Sequence, residues 1–233
     1  MNNDHHVAAW QCIAASSLTG GFSLTTVCQA CADDVGADFA GASLVVAGEL
    51  RLLAAATDER ARLVEDAQLV TGEGPCTEAY AQNRPAAAAD LHHTAARWPA
   101  FTPIACEQGT RAVLALPLPL AALPIGAMDL YRCEPVPFTL AQTERATAYA
   151  RILALLALDE HPHLLTHQPR TPRTARRGPQ GYPPTVHTAA GILAEKYQLT
   201  PDDALARLRA HSFRHNQPLL HTAQHVLDHH RLD

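Results

Sequence analysis

Residues 111–132 read RAVLALPLPLAALPIGAMDLYR. Two apolar runs of strand length, 111–118 and 125–132, flank a stretch that contains proline, and this predicts two antiparallel strands joined by a Pro-containing turn. A membrane helix is the competing reading of so apolar a segment. It fails because residues 112–128 are broken by Pro117, Pro119 and Pro124 and fall short of the ~20 residues a spanning helix needs.

Helical and strand patterns alternate on either side of this pair. Ser23 caps a predicted helix to about Val35, with Leu24, Val27, Cys28 and Cys31 on one face at steps of three and four. Strands are predicted over 42–47 and 51–56 about Gly48 and Glu49, then a charged helix over 58–70 that Gly72-Glu73-Gly74 ends. Pro75 suits the first turn of a short helix to Gln82, where its missing N–H is not needed. A short strand over 86–89 and a helix over 99–108 complete this part before the central pair. After it, residues 139–160 form a helix with an apolar stripe of Ala146, Tyr149, Ala150, Leu153, Leu156 and Ala157. Antiparallel strands with helices on their faces define an α+β domain.

Residues 168–184, QPRTPRTARRGPQGYPP, contain five prolines, two glycines and four arginines. Nothing in this stretch can bury an apolar face, so a linker is expected. The division that follows is a domain over 1–160, a linker over 161–184 and a small module over 185–233. In that module Val186, Ala189, Ala190 and Leu193 share one side of a first helix. Thr200-Pro-Asp-Asp starts a second, which buries Ala204, Leu205, Leu208 and Phe213. Pro218 opens a third, with Leu219, Leu220, Ala223, Val226 and Leu227 inward. Three helices in so short a segment make a small bundle.

Charge follows the same division. Residues 1–160 hold 18 acids against 9 bases, 161–184 hold four arginines and no acid, and 185–233 hold five of each. The last module lacks the strongly basic footprint typical of nucleic-acid binders. The hydrophobic share is 47% with only 5% aromatic, so the core is built from Ala, Leu and Val. Residues 1–10 lack a basic run followed by an apolar one, and the six cysteines lie scattered rather than densely spaced. A reducing, cytoplasmic setting with no membrane contact is expected.

Several motifs stand in one order: Gln68-Leu-Val-Thr-Gly-Glu-Gly-Pro-Cys-Thr-Glu-Ala79, Asp90, Arg97-Trp-Pro99, Gly109-Thr-Arg-Ala-Val113, Pro117-Leu118 and Ile125-Gly-Ala-Met-Asp-Leu-Tyr131. Together they resemble the GAF domain of actinobacterial GAF and ANTAR domain-containing transcription antitermination regulators. The tail, with Val186-His-Thr-Ala-Ala-Gly-Ile-Leu193, Thr200-Pro-Asp-Asp-Ala-Leu-Ala-Arg-Leu-Arg209 and Asn216, is similar to the ANTAR three-helix module. The resemblance implies a GAF-like antiparallel sheet flanked by helices plus an ANTAR-like bundle. It also implies binding of structured RNA stem-loops, a small-molecule ligand of unknown identity for the GAF-like part, and a homodimer paired through the long helix of residues 139–160. The module departs from the family pattern at Thr188, Ala190 and Ala194, and Gly181-Tyr-Pro-Pro184 stands where a basic junction is usual.

Arginine forks suit phosphates and unpaired bases, so Arg209, Arg214 and Lys196 are the expected RNA contacts, with Asn216 and Thr188 as polar neighbours. Arg170, Arg173, Arg176 and Arg177 could add nonspecific attraction. Cys28 and Cys31 form a CxxC, but both fit the apolar face of one helix and no second ligand pair follows, so core packing is expected. Cys76, just after Pro75, sits where backbone N–H groups favour a thiolate; packing is again the expectation. Among fourteen histidines, His221, His225 and His229 share a helix face, as do His211 and His215. With no carboxylate or Cys in the pattern these form a solvated face that gains positive charge below pH ~6.5, not a metal site. Asp90, His92 and His93 read as a turn beside a strand.

No P-loop, GxSxG or HExxH is present, so neither catalysis nor a cofactor is expected. The leading expectation is an antitermination regulator: a GAF-like sensor of a ligand or partner controls an RNA-binding output module. The alternatives are a non-enzymatic GAF signalling protein whose bundle has lost RNA and mediates protein contacts, and a thiol enzyme of the free methionine sulfoxide reductase kind using Cys76 or Cys106.

Overall fold

The computed structural model describes residues 2–46, 49–120, 123–160, 184–215 and 217–232. The expected linker over 161–184, all but Pro184, lies outside the described residues, as do Asn216 and the centres of both predicted hairpin turns.

Helix α1 (Asn2–Gly20) leads into α2 (Leu24–Val35), which Ser23 caps as predicted: its side chain accepts from the Thr26 N–H. Strands β1 (Phe39–Val46) and β2 (Glu49–Ala56) follow. Helix α3 (Glu59–Thr71) is capped by Asp58 and stopped by Gly72 in the left-handed conformation. Then come α4 (Pro75–Gln82), β3 (Ala86–Ala88), a 3-10 turn (Leu91–Thr94), α5 (Phe101–Glu107), β4 (Ala112–Leu120), β5 (Leu123–Arg132) and α6 (Leu140–Glu160). The bundle is α7 (Pro184–Tyr197), α8 (Pro201–Arg214) and α9 (Leu219–His229). Helix α1 was not predicted, and its sequence explains why. NNDHHVAAWQCIAASSLTG has no apolar stripe at helical spacing, and among its residues whose burial is described only Ala9 and Ile13 bury fully.

The five strands form one antiparallel sheet in the order β2-β1-β5-β4-β3. The predicted central pair is its β4–β5 ladder. Pro117 and Pro119 are tolerated because β3 pairs with β4 only at Ala112's neighbours Val113–Ala115, leaving the far half of β4 on an edge where no N–H is required. Alternation along these strands sorts their side chains onto two buried faces. Leu114, Leu116, Leu118, Met128 and Leu130 pack against α1, α2 and α6. Val113, Ala115, Ala127, Asp129 and Tyr131 face the opposite way, towards α3, α4 and α5. Cys28 and Cys31 are fully buried in the first layer, which is the packing role expected of them.

In the bundle, Val186, Ala189, Ala190, Leu193, Ala204, Leu205, Leu208, Leu219, Ala223 and Val226 bury as expected. Phe213 and Leu220 do not, being 47% and 41% exposed. The buried face of α8 continues through Ser212 rather than Phe213, and that of α9 runs through Leu219, Thr222 and Ala223, which turns Leu220 outward. No helix among the described residues is long and apolar enough to cross a membrane.

Candidate functional site

Two features single themselves out, and both are built on α3. Its inner face carries Glu65 and Gln68 into the layer between the sheet and the helices, where both are buried. Its outer face carries Asp66, Leu69 and Val70 towards the bundle.

On the inner face, Glu65 accepts from Ser43 Oγ at 2.7 Å and from Tyr131 OH at 2.8 Å. Gln68 Nε2 donates to Asp129 Oδ2 at 2.9 Å and to Tyr131 OH at 3.1 Å, while Gln68 Oε1 accepts the Cys76 N–H at 2.8 Å. Two glycines make room for these side chains. A Cβ at Gly41 would lie 2.6 Å from Glu65 Cγ, and one at Gly74, whose φ is +137°, would run into the Gln68 amide. Side-chain atoms of Glu65, Cys76 and Asp129 all lie within 4.8 Å of one another, the one group of three metal-capable side chains among the described residues. Burial pushes Glu65 well above the usual carboxylate range, and the Asp129 charge adds to the rise. Burial likewise lifts Asp129 to about 6. The Cys76 thiol is pushed up by burial and then by the Asp129 and Glu65 charges, which corrects the expectation that its position after Pro75 favours a thiolate. Cys106 is half-buried and raised by burial too.

On the outer face, Leu69 and Val70 belong to the apolar cluster of the bundle, not to either layer of the sheet. Arg209 Nε donates to the Val70 carbonyl at 3.1 Å. The N-terminus of α9 has no capping side chain of its own; instead Asp66 Oδ2 accepts the Leu219 N–H at 2.7 Å, a cap supplied from α3. Burial raises Asp66 to about 6 against the opposing pull of that N–H and of Arg62. A cavity of about 70 Å³ lies along the seam, lined by Leu63, Asp66, Ile104, Phe213 and Pro218 among others.

The residues expected to contact RNA divide between different surroundings. Arg209 reaches the α3 terminus. Lys196 Nζ donates to the His230 carbonyl at 2.8 Å, completing the C-terminal end of α9. Arg214 is exposed on α8 and Thr188 on α7. Two histidine pairs bring their rings together, His225 stacking on His229 with ring centroids 4.3 Å apart and His211 lying tilted against His215 at 4.2 Å. Asp90 pairs with Arg111 at 3.0 Å and with His93 at 3.1 Å while capping the 3-10 turn, which is the structural role read for it. Sequence reasoning missed Glu65, Asp66 and Asp129 as site residues. The available signal was a carboxylate at Asp129 within an otherwise apolar strand.

The GAF domain family model matches residues 23–156, and the ANTAR domain model matches residues 184–227. Among solved structures, the GAF domain of a phosphoenolpyruvate-protein phosphotransferase from Acinetobacter is similar at 15% identity and a TM-score of 0.50, covering 70% of this chain and 96% of its own. A type II free methionine-R-sulfoxide reductase from Thermoplasma acidophilum is similar at 20% identity and a TM-score of 0.46, covering 58% of this chain and 90% of its own. At 15% identity the likeness to the Acinetobacter domain is one of fold. Among curated proteins none matches the chain.

Proposed function

Since the chain belongs to the GAF domain family and carries an ANTAR domain at its C-terminal end, we propose that it is a cytoplasmic, non-enzymatic regulator of transcription antitermination whose GAF domain controls RNA binding by the bundle. The observation that supports this most directly is the docking of the bundle on α3, with Arg209 engaged by the Val70 carbonyl. In that position the guanidinium is already committed, and the domain behind it holds twice as many acids as bases over residues 1–160. A phosphate backbone approaching the seam meets repulsion as well as an occupied donor. Release of the bundle frees Arg209 to pair with phosphate or an unpaired base of a stem-loop. Because α3 presents Glu65 and Gln68 inward and Asp66, Leu69 and Val70 outward, a ligand or partner that shifts this helix acts on both faces at once. Pairing of two chains through α6 fits the same reading, since Leu155 on that helix is 58% exposed.

The test is titration of the full chain with paired RNA stem-loops at several salt concentrations. Affinity that falls steeply with salt and is lost in Arg209→Ala supports the reading. Absence of binding at low salt in wild type, and in a variant with a loosened seam, removes it. One observation favours a second reading, in which the bundle mediates protein contacts only: its acids and bases balance, and Ala190, where a basic residue is usual in modules of this kind, is buried.

A further inference from the structure

We propose that Glu65, Cys76 and Asp129 form a metal site that takes one first-row divalent transition ion, zinc or iron(II). The three donors come from α3, α4 and β5, so the arrangement is fixed by the fold and not by a flexible loop. Each is at most 1% exposed, and their ligand atoms lie within 4.8 Å of one another. Donors bound to a common ion at ~2.0–2.3 Å stand about 3.3–3.8 Å apart in a tetrahedral site, so closing round an ion asks for a contraction of at most about 1.5 Å. Sulfur in the set selects zinc or iron over calcium and magnesium, which take oxygen ligands.

A separate observation points to a ligand. Asp129 Oδ1 is buried with no hydrogen-bond partner, while Asp129 Oδ2 is held by Gln68. A buried acceptor without a donor is costly, and a cation satisfies it. The surroundings already supply what ligating carboxylates need around them. Ser43 and Tyr131 donate to the two oxygens of Glu65, and Gln68, itself fixed by the Cys76 N–H, orients Asp129. Gly41 and Gly74 leave the space in which Glu65 and Gln68 lie. As one divalent ion enters, the Cys76 thiol proton leaves, and the charge of the ion is met by the thiolate and the two carboxyls. A coordinating thiol gives up its proton even where burial alone would retain it.

The full chain, produced in medium supplemented with zinc and iron, is analysed for metal content and then exchanged into cobalt(II) for absorption spectroscopy. Any exposed histidine can take up cobalt weakly in such an assay, so the deciding signal is the sulfur-to-cobalt charge-transfer band, which requires a thiolate. The expected result is about one equivalent of metal per chain, a charge-transfer band that disappears in Cys76→Ser, and an occupancy roughly tenfold lower or less in the isosteric Asp129→Asn. A band that survives Cys76→Ser, or equal metal content in wild type and a folded Asp129→Asn, overturns the proposal. So does wild type that stays free of metal both after production in that medium and after exposure to cobalt(II). None of these outcomes depends on RNA binding.

Discussion

Shortening Leu69 to alanine isolates the seam between sensor and output. Leu69 is 8% exposed and packs with the bundle's cluster, so Leu69→Ala removes contact across the seam while leaving both layers of the sheet untouched. It also leaves Arg209, Arg214, Lys196 and Thr188 in place. Truncating a buried leucine costs at least ~2 kcal/mol, and every 1.4 kcal/mol is about tenfold in an equilibrium constant. The ratio of docked to released bundle therefore falls by about 30-fold. When only the released state binds RNA, apparent affinity scales with the released fraction, so stem-loop affinity rises by up to about 30-fold, the full factor appearing when docking is strongly favoured in wild type. The assay is an equilibrium RNA titration at fixed salt, repeated with Leu69→Ala combined with Arg209→Ala, where the gain disappears. An affinity that is unchanged or weaker in a Leu69→Ala protein whose sensor domain melts as in wild type refutes the idea that docking withholds Arg209.

Three further outcomes follow from the same structure. Gly41→Ala drives a Cβ to 2.6 Å from Glu65 Cγ, and because Glu65 is held by Ser43 and Tyr131 the core is overpacked by about 1–3 kcal/mol, read as a lowered melting temperature. Glu78 is held below the usual carboxylate range by its hydrogen bonds with Arg97, and Asp90 by those with Arg111. A group lowered in the folded state contributes stability above its unfolded value near ~4 and loses it as pH falls through the folded one; a Glu78→Gln, Asp90→Asn double variant should therefore lose less melting temperature between pH 5 and 3 than wild type does. Finally, Leu155→Glu places a charge on the exposed face of α6, and light scattering should report a monomer where wild type is a dimer; a wild-type monomer, or a variant that still pairs, removes α6 as the pairing surface.

Much of this architecture is legible in the residues because its signals are local. Ser23, Asp58 and Thr200 each cap the helix that follows them, Gly72 and Gly109 adopt the left-handed conformation where helices stop, and Pro75 and Pro201 occupy first turns. These are decided within a few residues of chain, so they survive without knowledge of the rest. The sequence alone also marks Cys28 and Cys31 as core, through their spacing on one helical face. Tertiary structure alone decides the remainder. The separation between Glu65 and Asp129 in the chain hides the fact that α3 and β5 bring their carboxyl oxygens within 4.8 Å of each other. Likewise, nothing near Pro218 announces that the cap of α9 is Asp66 from another part of the molecule, or that Arg209 is engaged by Val70. Local chemistry fixes where helices and strands begin and end, because backbone groups at their termini must find partners nearby. Which charged groups are taken out of water, and against what, is set only when the helices pack on the sheet and the bundle packs on α3.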